Sequence, residues 1–423
     1  LQGNKARRLK TNRSMNHSEL IPHLFRTEFS KISSVLLQRF GMEHIETAED
    51  IASETFLLAL ESWSYEGIPE NPVGWLYSVA KNKARNYINR VQVFNTKVAP
   101  AVAGIITENM DIDIDLSDRN ITDSQLQMLF AICQPSLPVE SQIGLALRIL
   151  CGFGIDEIAN AFLTGKETIN KRLYRAKERL RQENAPVIFP DKNEIGQRLE
   201  NVLTTLYLLF NEGYYSESDD AIVKKDLCDE AMRLTVLLVE SPLTDIPIVN
   251  ACYALMCFQA SRLAARKNSR DEMILYEDQD ESLWDQQLIS KGAYHLHRAS
   301  QGSEISSYHF EATIAYWHTI KLDSNEKWHF ILQLYNQLLE RHYSPVTALN
   351  RIYALSKVAG VETAIVAAEK LQLTGNPFYH AFLGHLYSTI DKAKALQNFR
   401  AACSFAKTNT GRRTMQQQLD RLG

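Results

Sequence analysis

The sequence predicts an all-α protein in which two small helical domains, joined by a linker, precede a larger helical domain. Apolar residues recur at helical spacing along most of the chain, and long alternating runs of β-branched residues are missing. The chain has 423 residues, more than a single hydrophobic core serves, so several domains are expected. Its composition, 45% hydrophobic and 23% charged, is typical of a folded protein rather than a disordered one.

Changes in periodicity place the domain boundaries. Residues 20–94 are predicted to form the first small helical domain, and residues 123–185 the second small helical domain. Residues 95–122 between them lose amphipathic periodicity and gain acidic residues, which indicates a linker. After two prolines the helical pattern resumes and continues over residues 194–423.

The last part of the chain contains two similar passages. They span residues 344–371 and 376–406, and their prolines, Pro345 and Pro377, lie 32 residues apart. This spacing is close to the tetratricopeptide period of about 34 residues, so stacked tetratricopeptide-like hairpins are predicted. Two helical hairpins that resemble each other by chance remain the alternative.

The cysteines, histidines and acidic runs form no recognisable metal or catalytic pattern. None of the six cysteines has C-x-x-C spacing, so buried reduced thiols are expected. The run DIDID (111–115) begins like a calcium loop, but Leu116 and Thr122 stand where that loop needs Gly and Glu. H-E-x-x-H, a Gly-rich phosphate loop and G-x-S-x-G are all absent from the sequence. We therefore expect no enzyme activity, no metal and no cofactor.

Nothing in the sequence predicts a membrane or secreted protein. No apolar run approaches the roughly 20 residues that a membrane helix needs, and no secretory signal is evident near the start. A cytoplasmic location is therefore expected. Met15 is a candidate natural start, and the basic stretch before it is given no function.

The sharpest local pattern is GFGIDEIANAFLTGKETINKRLYRAKERLR (152–181). Its apolar residues form inward-facing stripes on two helices, at Ile155, Ile158, Ala159 and Phe162 and then at Ile169, Leu173, Ala176 and Leu180. The opposite face of the second helix carries polar and basic residues, namely Lys166, Thr168, Asn170, Lys171, Arg172 and Arg175. This arrangement is typical of a helix-turn-helix whose second helix enters a DNA major groove. The usual turn glycine is Leu163 here, and a solvated cationic helix is the alternative.

A second pattern, NPVGWLYSVAKNKARNYINR (71–90), combines a basic helix with aromatic residues. Lys81, Lys83, Arg85 and Arg90 are present without any acidic residue. Bases of a separated DNA strand stack on aromatic rings while cations follow the phosphates, so such a helix suits single-stranded DNA. Trp63, Tyr65 and Trp75 are the candidate rings, although any one aromatic residue is more often a core residue than a platform for a base.

A third pattern, AEDIASETFLLALES (48–62), is amphipathic. Ile51, Thr55, Phe56, Leu58 and Ala59 are predicted to face a core, and Glu49, Asp50, Ser53 and Glu54 to face outward. An acidic outer face beside a basic DNA-facing helix is a plausible docking surface for a basic protein partner. A solvated helix face with no partner is the alternative.

In this order the three patterns resemble regions 2.2, 2.3–2.4 and 4.2 of the extracytoplasmic-function (ECF) sigma factors of bacterial RNA polymerase. The resemblance covers about residues 20–182. It implies an alternative sigma factor that binds core RNA polymerase, through the β′ clamp and the β flap, and recognises promoter DNA. In that family the acidic linker between regions 2 and 4 threads towards the polymerase active centre.

The resemblance also assigns roles to single residues. It implies that Asp50 and Glu54 contact polymerase. The −10 element would be engaged by Trp75, Lys81, Asn82, Lys83 and Arg85. The −35 element would be read by Lys166, Thr168, Asn170, Lys171, Arg172 and Arg175.

Beyond residue 182 the chain resembles the sigma-factor subgroup with a tetratricopeptide-like C-terminal extension, on the motifs LYLLFNEGYYSES (206–218), LYEDQDESLWD (275–285) and SPVTALNRIYAL (344–355). The resemblance implies that this domain regulates activity, with a protein or peptide as a possible partner. The acidic motifs would either cap helix ends or hold a peptide. The alternatives to a sigma factor are a helix-turn-helix regulator with a tetratricopeptide sensor, and a tetratricopeptide scaffold.

Overall fold

The computed structural model describes residues 17–97, 114–162, 164–214, 221–266, 274, 276–406 and 409–422. Throughout these residues the chain forms helices and connecting turns and no strand, so the predicted all-α class is confirmed. The chain divides into two compact units between Leu209 and Phe210. Residues 98–113, which make up most of the predicted linker, lie outside the described residues.

The first unit is built from eight helices among the described residues. They are α1 (His17–Phe40), α2 (Ile45–Glu66), α3 (Pro72–Lys97), α4 (Asp118–Ile132), α5 (Val139–Leu145), α6 (Ile155–Ala161), α7 (Lys166–Gln182) and the greater part of α8 (Lys192–Tyr214). A short 3-10 turn (Met42–His44) precedes α2, and a π-helical turn (Ala146–Leu150) continues α5.

Helix α1 organises the core of this unit. Its residues Leu24, Phe29, Ile32 and Leu36 are at most 2% exposed, and α1 packs against α2, α3 and α4. The side chain of Gln125 on α4 donates to the hydroxyl of Ser30 on α1 at 3.3 Å. The helices before and after the predicted linker therefore share one core.

Helix α4 begins inside the segment predicted as linker. Ser117 caps it, because its hydroxyl accepts from the backbone N–H of Asn120 at 3.4 Å. Ser and Asp favour helix starts, since their side chains satisfy backbone N–H groups that have no partner within the helix. Helix α4 thus starts at Asp118, before residue 123, where the second small domain is predicted to begin.

The first compact unit continues past residue 194, where the C-terminal helical domain is predicted to begin. Arg198 on α8 donates to the carbonyl oxygen of Phe130 at 2.6 Å, and Asn201 donates to that of Cys133 at 2.7 Å. Thr205 donates to Gln142 Oε1, also at 2.7 Å. These bonds make most of α8 part of the first unit.

The second unit contains the remaining described helices. They are α9 (Ala221–Glu240), α10 (Pro247–Ser261), α11 (Gln286–Ala299), α12 (Ser307–Trp317), α13 (Asn325–Arg341), α14 (Pro345–Ala359), α15 (Val361–Glu369), α16 (Pro377–Tyr387), α17 (Lys392–Phe405) and α18 (Asn409–Leu422).

The two similar passages near the end each form a helical hairpin, α14–α15 and α16–α17. Buried side chains from α14, α15 and α16 share one core cluster, which includes Ile352, Ile365 and Leu383. Gly384 allows the second pair to approach closely, since a Cβ there would lie 2.9 Å from the ring of Phe399. Hairpins with small contact residues are what the repeat pattern predicts, and the tetratricopeptide-like assignment stays a prediction.

Candidate nucleic-acid interface

Helix α3 presents a basic face beside the core of the first unit. Asn71 caps its start, with its side-chain oxygen accepting from the N–H of Gly74 at 3.0 Å, and Pro72 occupies a position where no N–H is needed. Leu76, Ala80 and Ala84, each 0% exposed, form the buried stripe. The predicted −10 residues follow the other faces, with Asn82 and Arg85 exposed and Lys81 and Lys83 half-buried.

The three candidate aromatic rings differ in accessibility. Trp63 is 3% exposed and packs edge-to-face on Trp75, with ring centroids 5.3 Å apart. A ring buried in this way cannot receive a base, so Trp63 is a core residue. Trp75 is half-buried and Tyr65 is 93% exposed, which leaves these two as rings that a base can reach.

Helix α2 carries the predicted polymerase-binding residues on its exposed side. Asp50 and Glu54 are both exposed, and Lys83 Nζ lies 2.7 Å from Glu54 Oε2. A predicted docking residue and a predicted −10 residue are therefore ion-paired across α2 and α3. Exposed pairs of this kind contribute about 0.2–1 kcal/mol, so the pair can open when either side chain meets a partner.

Two expectations about α2 are wrong. Glu49, predicted to face outward, is buried, because it forms ion pairs with Lys177 on α7 and, at 3.3 Å, with Arg148. Leu58, predicted to face the core, is 37% exposed. Leu57 and Leu60 are also exposed, and they border an apolar cavity of about 600 Å³ between α1 and α2. The 3.6-residue period shows which residues share a face of α2, but not which of its faces the other helices of the unit cover.

Helices α6 and α7 form the two-helix pattern predicted at residues 152–181. Glu157 accepts from the N–H of Gly154 at 2.7 Å and fixes the start of α6. The connection closes where the N–H of Thr164 donates to the carbonyl oxygen of Ala159 at 2.9 Å, and Leu163 lies outside the described residues. The predicted inner stripe of α7 is buried, with Ile169, Leu173, Ala176 and Leu180 at most 4% exposed.

The predicted −35 residues lie on the outer side of α7. Exposed positions are Lys166, Thr168, Asn170, Lys171 and Arg175. Arg172 is half-buried, with its guanidinium 5.6 Å from the centre of the Phe162 ring. Lys166 forms an exposed ion pair with Asp156 at 2.5 Å. Among the predicted readers, Arg175 is thus an exposed arginine, whereas Arg172 is partly covered.

Sequence reasoning missed the opposite wall of this surface. A cavity of about 670 Å³ lies between α7 and the start of α5, and its lining residues are Ser136, Leu137, Pro138, Glu140, Ser141, Thr168, Lys171, Arg172, Arg175, Ala176 and Arg179. Four of the predicted −35 residues thus line this cavity. Tyr174, 61% exposed, was also missed.

The acidic motifs of the second unit act mainly inside the fold. Asp280 accepts from the N–H of Ser282 at 2.9 Å, and Asp285 accepts from those of Gln287 and Leu288 at 2.9 and 3.0 Å. Both are therefore helix caps, as one of the two interpretations predicted. Residues 215–218 of the FNEGYYSES motif and Leu275 of the second motif lie outside the described residues.

Glu277, in the second of these motifs, makes contacts of its own. It accepts from Tyr353 at 2.8 Å and pairs with Lys357 at 2.5 Å. Lys357 and Tyr353 together hold the pKa of Glu277 below its usual value. This carboxylate therefore stays charged and ties its segment to α14.

Within the described part of the chain, no group of three or more His, Cys, Asp or Glu side chains is arranged to hold a metal ion. None of its helices is long and apolar enough to cross a membrane. The six cysteines are free thiols, and all but Cys403 are buried.

Comparison with known proteins identifies relatives of the chain. The family model of sigma-70 region 2 matches residues 24–93, and a family of unknown function (DUF6596) matches residues 198–300. An uncharacterised protein of Rhizobium meliloti is 33% identical over 387 residues, which cover 90% of both chains. The chain belongs to the family of this protein.

Two further relatives are sigma factors. RNA polymerase sigma factor YlaC of Bacillus subtilis is 24% identical over 168 residues, 40% of this chain and 94% of that protein. The ECF RNA polymerase sigma-E factor of Haemophilus influenzae is 26% identical over 148 residues, 33% of this chain and 75% of that protein. No solved structure matches the chain. The family member described here thus carries a sigma-70 region 2 domain, formed by α1, α2 and α3, and is homologous in part to ECF sigma factors.

Proposed function

We propose that the chain is an alternative sigma factor, which binds core RNA polymerase and directs initiation at selected promoters. The observation that carries the proposal is the combination, in one unit, of a sigma-70 region 2 domain with two separate basic faces, on α3 and on α7. A transcriptional regulator with a sensor domain would need the α7 face alone. Such a regulator would give no role to the basic face of α3, which lies beside the exposed acidic residues of α2.

The residues receive the following roles in this proposal. Asp50 and Glu54 bind the β′ clamp, and the unit around α7 also contacts the β flap. Trp75, Lys81, Asn82, Lys83 and Arg85 engage the −10 element, and the exposed ring of Tyr65 joins them. The outer side of α7 reads the −35 element with Lys166, Thr168, Asn170, Lys171, Arg172 and Arg175.

The proposal is tested by transcription in vitro. The purified chain, added to core polymerase on fragmented genomic DNA, is expected to start run-off transcripts at a restricted set of sites. If the soluble chain produces no transcript from any fragment, the sigma-factor proposal is wrong. Binding of the chain to DNA without polymerase, with no initiation, would favour the regulator instead.

Arg175→Ala is expected to weaken promoter recognition at one base pair. A bidentate arginine–guanine contact contributes about 1–3 kcal/mol of discrimination, so the variant should lose roughly tenfold to hundredfold in affinity and accept other bases there. Competition between promoter variants measures this. Arg179→Ala is the control, because Arg179 lies further along α7 and pairs with Glu183 at 2.5 Å. It should weaken binding uniformly or not at all, and equal behaviour of the two variants would reduce Arg175 to a phosphate contact.

We further propose that the second unit regulates initiation, with a protein or peptide as its partner. A chain truncated to residues 1–214 is expected to fold and to initiate without normal regulation. A chain truncated to residues 1–190 should be several kcal/mol less stable. It loses α8, whose Leu199, Val202 and Leu203 are at most 1% exposed, and burial contributes about 1.5–3 kcal/mol for each such side chain.

Urea unfolding of both truncations, and transcription by the longer one, measure these effects. Equal stability of the two truncations would contradict the assignment of α8 to the first unit. Unchanged promoter activity of residues 1–214 under every condition would rule out regulation by the second unit.

A further inference from the structure

A short acidic segment of the second unit is held in place by side chains from elsewhere in that unit. It spans residues 276–284, with the sequence YEDQDESLW, and contains four acidic residues and no basic one. Two short 3-10 turns, Tyr276–Asp278 and Glu281–Leu283, form most of it. We call residues 276–284 the strap. Turns of this length have little stability of their own, so the contacts of the strap with its surroundings determine where it lies.

The aromatic residues of the strap are held by burial and by cations. The ring of Tyr276 lies beside that of Trp284, with ring centroids 6.5 Å apart, and Trp284 is 4% exposed. Arg262, which follows α10, and Lys327 on α13 lie 5.4 and 5.5 Å from the centre of the Tyr276 ring. Lys327 also donates to the Tyr276 hydroxyl at 3.2 Å. Because the face of an aromatic ring attracts cations, these contacts recognise the ring as well as its hydroxyl.

The carboxylates and the backbone of the strap are held by two further lysines. Lys321 donates to the carbonyl oxygen of Gln279 at 2.6 Å and lies 3.8 Å from Glu281, and Lys357 pairs with Glu277 at 2.5 Å. The side chains of Glu277 and Glu281 are 48% and 56% exposed, so this edge of the contact is accessible to another molecule. We call the basic side chains around the strap the cationic site: Arg262, Lys321, Lys327 and Lys357.

The hydrogen bonding between the strap and its surroundings is incomplete. Among the described residues, two buried polar atoms of the strap, Gln279 Oε1 and Trp284 Nε1, have no hydrogen-bond partner. The same holds for Arg262 Nε and His318 Nδ1, whose side chains both contact the ring of Tyr276. A buried polar atom without a partner costs free energy. Release of the strap returns its own two atoms to water, which offsets part of the contacts that are lost.

We infer that the cationic site binds an acidic segment with aromatic residues from a partner protein, and that the strap fills this site in the free chain. The inference rests on the proposed regulatory role of the second unit and gives the chemistry of its partner. A tethered segment competes at an effective concentration on the order of millimolar. A partner therefore displaces the strap only if its carboxylates and rings match the cationic site well.

Peptide binding to the full chain, without polymerase, tests the inference. The probe is a synthetic, fluorescein-labelled peptide with the sequence of residues 276–284, and fluorescence anisotropy measures its binding. Glu277→Lys places a lysine of the strap against Lys357 and weakens the competing strap. This variant should bind the peptide about tenfold tighter than the unmodified chain does, because like charges now oppose its own strap. Adding Lys357→Glu should remove this gain, since the strap regains an ion pair and the peptide meets a carboxylate.

A second label shows whether the strap leaves its site. Asp278→Cys carries a fluorophore at an exposed position of the strap, in a Cys403→Ser background because the other native cysteines are buried. Saturation with unlabelled peptide should lower the anisotropy of this label. Peptide binding that leaves it unchanged overturns the inference. A fall that follows the concentration of the chain alone, together with dimer formation, overturns it as well, because the site then binds a second copy.

Matched variants separate recognition from net charge and from unfolding. Glu304→Lys makes the same charge change at an exposed position outside the strap and should bind the peptide as weakly as the unmodified chain does. Equal affinities of the Glu277→Lys and Glu304→Lys chains overturn the inference. If Glu277→Lys loses helix content by circular dichroism, Glu281→Lys takes its place with the same expectation. Failure of the chain to initiate transcription would refute the proposed sigma factor and leave every one of these outcomes readable.

Discussion

Reversing the charge of Asp50 and Glu54 to lysine should lower the affinity of the chain for core RNA polymerase by tenfold to a hundredfold. Both carboxylates are exposed on α2, and close charge pairs across protein interfaces couple by about 1.5–7 kcal/mol, of which about 1.4 kcal/mol already changes affinity tenfold. Fluorescence anisotropy of the labelled chain, titrated with core polymerase, measures the loss. The difference from the unmodified chain should shrink as salt rises, because screening weakens exposed charges.

Two control variants make this result specific. Glu61→Lys with Glu66→Lys introduces the same charge at exposed positions near the end of α2, and we expect a much smaller loss. Lys83→Ala removes the partner of Glu54 without touching the carboxylates, and should leave polymerase affinity unchanged or slightly higher. If the two double variants lose affinity equally, polymerase responds to net charge and not to a docking site at Asp50 and Glu54.

The parts of the first unit that sequence could predict are those governed by one helix at a time. The stripe from Ile169 to Leu180 on α7 is buried as its spacing requires, because a helix with one apolar face has one way to pack. The starts of α3 and α6 follow from local capping, which needs only neighbouring residues. The order of the acidic helix α2, the basic helix α3 and helix α7 is likewise evident directly from the sequence.

The parts that sequence could not predict depend on contacts between distant segments. The spacing of apolar residues places Glu49 on the same predicted outer face of α2 as Asp50. Its burial depends on Lys177, which lies 128 positions away in the sequence. The two prolines before α8 favour a turn, and they place the predicted domain boundary at residue 194. Only the bonds of Arg198 and Thr205 show that the next helix returns to the same core. Ion pairs and hydrogen bonds between distant segments leave no periodic signal in a single sequence.

The ion pair between Glu54 and Lys83 connects two residues to which the proposed function gives different roles. Under that proposal, Lys83 would have to leave Glu54 before it followed a phosphate, and Glu54 would have to leave Lys83 before it bound a polymerase cation. Under the proposed function, docking of Glu54 on polymerase would therefore release a DNA-binding side chain at the same step.

Acidification should destabilise the second unit through His295. This side chain is 7% exposed, and its Nδ1 donates to Asn250 Oδ1 at 2.7 Å, while Asn250 donates to Asp245 at 2.8 Å. Burial, with the nearby cations Lys291 and Arg298, lowers the pKa of His295 from 6.5 to about 4. The folded state thus keeps the ring neutral at a pH at which the unfolded chain protonates it.

The sign of the effect follows from which state binds more protons. Between pH 6.5 and 4 the unfolded chain binds one more proton at His295 than the folded chain does. The free energy of unfolding therefore falls as the pH drops from 6.5 towards 4, and above pH 6.5 His295 causes no such loss. Near pH 4.5 the loss from His295 should be roughly 2–3 kcal/mol, and urea unfolding at several pH values measures it. His295→Gln should be less stable than the unmodified chain at pH 7 but should show a flatter dependence on pH. His329→Gln, at an exposed position, should keep the full slope. If both variants keep it, protonation of His295 does not control the stability of this unit.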